Sequence, residues 1–349
     1  MIKPLISLAA ALALAAPAIA QEEAKPTPSP NQIVDAASAN EWIAIPSEDL
    51  LVMTLAPDSE GNPRKVVIQL MPPPFSQGWV HNIKLLARSG WYDGISLNRV
   101  QDNYVTQWGD PNYDNPEADG ETKKLPDGLK VMGEEEYLST NGDAAEAWMA
   151  AISGSEIEKP IAEGHISDFT KRRDQVIGTL GSDSYSSRSI FFRGWPLAQD
   201  GQELESNVWP THCYGMVGVG RNYSPDTGSG AELYTVIGHA PRHLDRNIAL
   251  VGRVIEGMEH LSSLPRGKGI LGFYGEDELD KRTPILAVRV ASDLPGAEQP
   301  TFKYLDTDGA SFARYAEARA NRRDPFFIHP AGGADICNIP VPIRRVAGE

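Results

Sequence analysis

Outside its first twenty residues the sequence lacks any uninterrupted apolar run of the roughly 18 residues that a membrane-spanning helix needs, so no later segment is expected in a bilayer. Positive charge is also scarce. The 32 Lys and Arg face 47 Asp and Glu, a formal net charge of −15 that disfavours nucleic acid and anionic membrane as partners and leaves small molecules or polypeptides. Cysteine is limited to Cys213 and Cys337. In an oxidising compartment the two can pair, closing a long loop for about 4 kcal/mol in the chain-entropy model, or they can stay as separate buried thiols. Spacing alone leaves both open. Two hydrolase signatures, HExxH and GxSxG, are missing. His239 and His243 are four apart, but Pro241 between them argues against a helical metal face. His212 and Cys213, adjacent in a strand-like run, would point to opposite faces and make no nucleophile–base pair. Gly218-Val219-Gly220 is too short for a dinucleotide loop and leads into no helix. Metal-dependent or nucleophilic hydrolysis is therefore set aside, and no metal or cofactor is expected.

The chain opens with MIKPLISLAAALALAAPAIA, in which Lys3 precedes an apolar stretch broken by Pro17 and closed by Ala18-Ile19-Ala20, the small-x-small pattern of a cleaved signal peptide. An exported protein, in the style of a bacterial periplasmic one, is the expectation, with the signal at 1–20. Residues 21–40, rich in Pro, Glu, Ser and Ala, read as a flexible tether. Order is expected from about Trp42.

Eight strand-like runs follow, at 49–55, 65–71, 95–100, 103–108, 212–218, 232–237, 249–254 and 284–290. Two apolar stripes read as helices, one near 78–89 (Val80, Ile83, Leu86, Ala87) that stops at Gly90, and one near 254–264 (Ile255, Met258, Leu261). The expected fold is mainly β, a closed eight-stranded antiparallel barrel capped by two helices, spanning 41–295. An insertion at about 112–205 is rich in charge, Gly and Pro, with one convincing helix at 143–152, and a C-terminal extension at 296–349 carries a helical candidate at 309–323.

Within GWYDGISLNRVQDNYVTQWGDP (90–111), Arg99 interrupts an apolar strand, a position that by default would be a solvated edge. Tyr104, Val105 and Gln107 follow after Gln101-Asp102-Asn103, a tight turn that can fold the next strand back beside the first and gather an apolar ring, a planar cation and an amide on one patch.

This stretch resembles the cyclophilin signature, and GMVGVG (215–220), GAELYTVIGHAP (230–241) and HLDRNIALVGRVIEGM (243–258) resemble the family's later pocket strands in order and approximate spacing. The matched pieces cover roughly 64–111 and 212–263. The resemblance implies a peptidyl-prolyl cis-trans isomerase acting on proline-containing polypeptides. Carried over residue by residue, it implies catalytic roles for Arg99 and Gln107 and a substrate groove formed by Tyr104, Val105, Tyr234 and Leu244. Met216 and Gly218 stand on a strand lining the groove. Four positions depart from the family pattern: Asn98 and Ile248 where His is frequent, His243 where many members carry Trp, and Glu232 where a pocket Gln is usual. Glu232 and His243 therefore belong to the expected groove, and Glu232 would place a carboxylate near Arg99 to compete with a substrate carbonyl. A binding or chaperone module with weak or no isomerase activity, using the insertion and extension for partners, is the alternative expectation.

Overall fold

The computed structural model describes residues 27–112, 120–152 and 166–346. The signal peptide expected at 1–20 lies outside the described residues.

Eight antiparallel strands close into a barrel. In order around it they are Met216–Val219, Leu233–Val236, Val105–Gly109, Ser96–Val100, Thr283–Val290, Leu50–Leu55, Arg64–Leu70 and Leu250–Glu256. All eight expected runs are present, with two starting more than one residue late. The strand expected from 103 begins at Val105, because Asn103 sits in the left-handed region (φ 51°) and turns the chain. The strand expected from 212 begins at Met216, after a turn at 214–215.

Alternate residues of these strands, among them Leu51, Met53, Leu55, Val66, Ile68, Leu70, Leu97 and Trp108, fill the interior. Each such side chain contributes about 1.5–3 kcal/mol by leaving water. The helix Gln77–Arg88 closes one end by burying Trp79, Ile83 and Leu86, and Trp79 Nε1 donates to the carbonyls of Thr227 and Gly228 at 3.1 and 2.9 Å. The second expected helix is a correction. The strand from Leu250 continues through Glu256, which pairs with Val67, and only one helical turn, Glu259–Ser262, follows. Gly257 separates them at φ 83°, where a Cβ would lie 2.1 Å from the Lys65 carbonyl oxygen, so the stripe Ile255–Met258–Leu261 is divided between a strand end and a turn.

The three segments outside the barrel meet in a second lobe. Within the stretch expected as a tether, Pro30–Asp35 is a helix, capped by Ser29 and Gln32, and Ile33 is buried. Trp42–Ala44 pairs with Phe302–Leu305, which pairs in turn with Ile343–Arg345. From the insertion come a sheet of Ser139–Thr140, Asn207–Pro210, Trp195–Gln199 and Arg188–Phe192, and the helices Asn141–Ile152 and Ile166–Leu180. Ala310–Ala320 supplies the C-terminal helix. Ile33, Trp42, Val176, Leu180, Phe191, Phe312 and Ile336 share one apolar cluster, so the tether, the insertion and the extension build a common core.

A disulfide and a buried cation are among the features that join lobe to barrel. Cys213 and Cys337 are bonded, with Cα atoms 5.1 Å apart. On the barrel's outer face Arg253 donates to Gln69 Oε1 (2.9 and 2.7 Å) and to the carbonyl of Gly194 (2.6 Å), beneath the Trp195 ring at 4.3 Å. Complete burial pulls its guanidinium down to about 9.

Candidate active site

A β-bulge aims the key cation. Leu97 pairs with Trp108 and Arg99 with Gln107, so Asn98 is the extra residue between them. Without it Leu97 and Arg99 would share a face, by the period-two alternation of a strand. With it Leu97 points into the barrel and Arg99 stands with Gln107 on the outside. The cost falls on Asn98, which is 1% exposed and whose amide nitrogen and oxygen have no hydrogen-bond partner.

Register then assembles a row across four neighbouring strands. Arg99 lies opposite Gln107, Gln107 opposite Tyr234, and Tyr234 opposite Gly218. One step along, Val105 lies opposite Val236. Val105, Tyr234 and Val236 form a small buried cluster apart from the barrel core, with Tyr104, Leu244 and Ile248 packed against it. Gly218 is required here, since a Cβ would lie 2.3 Å from the Tyr234 hydroxyl. The exposed His243 stacks on Tyr104 with centroids 6.5 Å apart and planes at 12°. The result is an apolar slot walled by rings and aliphatic chains, with a guanidinium at one end.

The guanidinium is held on several sides. Arg99 Nε donates to the Leu271 carbonyl (2.7 Å), Nη1 to Gln107 Oε1 (3.0 Å) and Nη2 to Gln101 Oε1 (2.5 Å). Its carbon lies 5.7 Å from the Tyr104 ring centroid and 5.5 Å from that of Phe273. Gln107 in turn donates through Nε2 to Glu232 Oε2 at 3.3 Å, so the amide links the carboxylate to the arginine and its own orientation is fixed. Burial raises the Tyr104 hydroxyl, against the pull of Arg99, and raises that of Tyr234 well above the usual phenol, so both rings enter the slot neutral.

Of the residues expected from sequence, Arg99, Gln107, Tyr104, Val105, Gly218, Glu232, Tyr234, His243 and Leu244 come together. Met216 does not. Its side chain is buried in the large apolar cluster that barrel and lobe share, with Trp195 and Cys213 among its members, and takes no part in the small cluster at the groove. Three participants went unforeseen: Gln101, Leu271 and Phe273. The last two reach the site on a loop 172 and 174 residues from Arg99, held to that strand by the Arg99–Phe273 bridge and by the Tyr274 N–H donating to the Asn98 carbonyl. His212 and Cys213 also part company, the ring turning to Tyr234 and Asp245 and the sulfur to Cys337. Among the described residues no group of three His, Cys, Asp or Glu is placed to hold a metal ion.

The family model described as cyclophilin type peptidyl-prolyl cis-trans isomerase/CLD matches residues 66–290. Among solved structures the chain is similar to the cyclophilin AquaCyp293 from Hirschia baltica, at 18% identity and a TM-score of 0.58, over 88% of this chain and 94% of that one. It is also similar to a cyclophilin type peptidyl-prolyl cis-trans isomerase from Cryptosporidium parvum, at 11% identity and a TM-score of 0.37, over 69% of this chain and 96% of that one. Among curated proteins none matches the chain.

Proposed function

The chain belongs to the cyclophilin-type peptidyl-prolyl cis-trans isomerase family, and from that premise we propose that it isomerises X-Pro bonds of exported polypeptides, with Arg99 stabilising the twisted amide. The observation that carries this reading is the row Arg99–Gln107–Tyr234–Gly218 beside the apolar cluster of Tyr104, Val105 and Leu244.

An X-Pro bond turns slowly because the nitrogen lone pair is delocalised into the carbonyl, a barrier of about 18–20 kcal/mol. Halfway through the turn that lone pair is localised on nitrogen and accepts a hydrogen bond. A donor aimed there binds the twisted state better than either planar state, which is the condition for catalysis. A guanidinium stays charged at every working pH and presents its N–H groups as a rigid fork, which serves the prolyl carbonyl and the prolyl nitrogen together. The slot holds the pyrrolidine ring while Gln107 orients the neighbouring backbone. Because Glu232 accepts from Gln107, the amide faces the substrate already engaged, so peptide affinity should be modest. Action on exported clients is supported by the first twenty residues and by the Cys213–Cys337 bond, which suits an oxidising compartment.

The test is isomerisation of a short Ala-Pro peptide followed by NMR exchange. Arg99→Ala should slow it on the order of 10²-fold, the cost of removing one preorganised donor. Wild type and variant both at the uncatalysed rate would remove the enzymatic reading and leave the binding module.

A further inference from the structure

One face of Tyr234 belongs to the slot. Its hydroxyl belongs to another structure, lying 2.9 Å from Nε2 of His212, a residue with no solvent exposure. On the other side of the imidazole, Nδ1 lies 2.9 Å from Asp245 Oδ1, which also accepts from the His212 backbone N–H at 2.9 Å. A carboxylate oxygen only accepts, so Nδ1 donates to Asp245 and Nε2 is left to pair with the tyrosine hydroxyl. Asp245 Oδ2 accepts from Arg242 Nε at 2.6 Å, and Arg242 Nη1 donates to Asp183 Oδ2, in the insertion, at 2.9 Å. Asp335 of the extension stands 3.9 Å from the same Nη1 and accepts from the backbone N–H of Cys337 at 2.8 Å. Cys337 is bonded to Cys213, the neighbour of His212. The path His212–Asp245–Arg242–Asp335–Cys337–Cys213 therefore returns to its starting point, and Asp183 ties it to the insertion.

We propose that His212 is a positioning residue for the proline slot, and that through it the second lobe fixes the Tyr234 ring against which a substrate proline packs. The slot's own cluster has three buried members with Tyr104, Leu244 and Ile248 packed against it from the exposed side, and the imidazole of His212 also stacks on the Tyr234 ring, centroids 6.4 Å apart. The tyrosine hydroxyl also rests over Gly218, where no side chain braces it. The hydroxyl is anchored on the imidazole, and the imidazole is oriented by Asp245, whose partner Arg242 is held from the insertion and the extension. Release of that anchor frees the ring and leaves a buried hydroxyl without a partner, which weakens the slot's grip on proline without touching the donor fork of Arg99.

This rests on the isomerase reading for its substrate class, but its test is separable. In the full-length protein, the dissociation constant of an Ala-Pro peptide is measured by NMR titration, alongside kcat and KM for isomerisation. Tyr234→Phe, which deletes one oxygen and spares the fold, should weaken binding about fivefold, the worth of one hydrogen bond, with kcat changed less than twofold. His212→Asn keeps an amide facing Asp245 but cannot reach Tyr234, and should do the same. His212→Gln, whose amide reaches the Nε2 position, should restore most of the loss. The double variant Tyr234→Phe/His212→Asn should be no worse than either single one, because both break one link. Asp183→Asn, remote from the slot, should weaken binding about twofold. Additive losses in the double variant, no rescue by Gln, or loss of melting temperature without change in affinity would overturn the proposal. A wild type that binds the peptide and fails to isomerise it would overturn the isomerase reading instead.

Discussion

Arg99 and Arg242 stand on the two sides of Tyr234 and are used in opposite ways. Arg99, at the rim of the groove, is held by amide oxygens of Leu271, Gln101 and Gln107 and is partly open to solvent. Arg242, at the junction of barrel and lobe, has a side chain only 3% exposed and faces Asp245, Asp183 and Asp335. Burial pulls its guanidinium down, but the aspartates outweigh that and raise it. Amide oxygens orient the Arg99 fork at the groove rim, whereas carboxylates on three sides of Arg242 turn that cation into a fastener. The same side chain is thus placed at the rim of the proposed groove in one case and buried as a structural tie 143 residues later, among different partners.

The largest effect that would sharpen this contrast is on stability. Arg242→Met should cost about 3–5 kcal/mol, because it strands the buried Asp245 beside two further carboxylates. Thermal or urea unfolding measures it, and a loss under 1 kcal/mol would contradict the fastener role. A smaller effect concerns the acid in the lobe. Burial, aided by the neighbouring Asp308 carboxylate, raises Asp306 to about 7. The folded state then holds a proton that the unfolded chain has released, so this group's contribution is complete below about pH 4 and is lost as pH rises towards 7. Wild type should lose stability relative to Asp306→Asn between about pH 4 and pH 7, by up to about 4 kcal/mol. A constant difference across that window would show that Asp306 is ionised at an ordinary carboxylate pH.

Barrel and lobe also differ in how plainly they could be read from residues. Barrel strands are nearly continuous apolar runs of four to eight residues, as in LLVMTL and RKVVIQL, because alternate residues fill the shared interior while others, such as Leu50, Val52 and Val67, pack in a second cluster. In the lobe the strands are shorter and interrupted by Pro196 and Pro210, and the core is pooled from segments some 300 residues apart. The helix Pro30–Asp35 had a legible start in Ser29-Pro30-Asn31-Gln32, a capping box with proline at its first turn. Its apolar face is too short to show a period, and it depends on packing against the C-terminal helix. Ile166–Leu180 is mostly polar and carries Gly178, so propensity disguised it.

At the site the residue types were readable and their arrangement only partly so. The Gln101-Asp102-Asn103 turn places Tyr104, Val105 and Gln107 beside the Arg99 strand, as expected from local chemistry. The bulge at Asn98 was not legible, since nothing in the residue marks the extra step. Nor was the His212–Tyr234 bond, which spans 22 residues and depends on barrel register. Met216 was misplaced for another reason: the lobe, invisible to strand alternation, covers its side chain in the large shared apolar cluster.

The most direct measurement on the groove replaces Arg99 with lysine and follows Ala-Pro isomerisation by NMR exchange. Arg99→Lys keeps the positive charge and loses the planar fork, so the rate should fall on the order of 10²-fold while the fold stays intact. A lysine variant as fast as the wild type would show that charge alone suffices, and would contradict a donor fork as the source of catalysis.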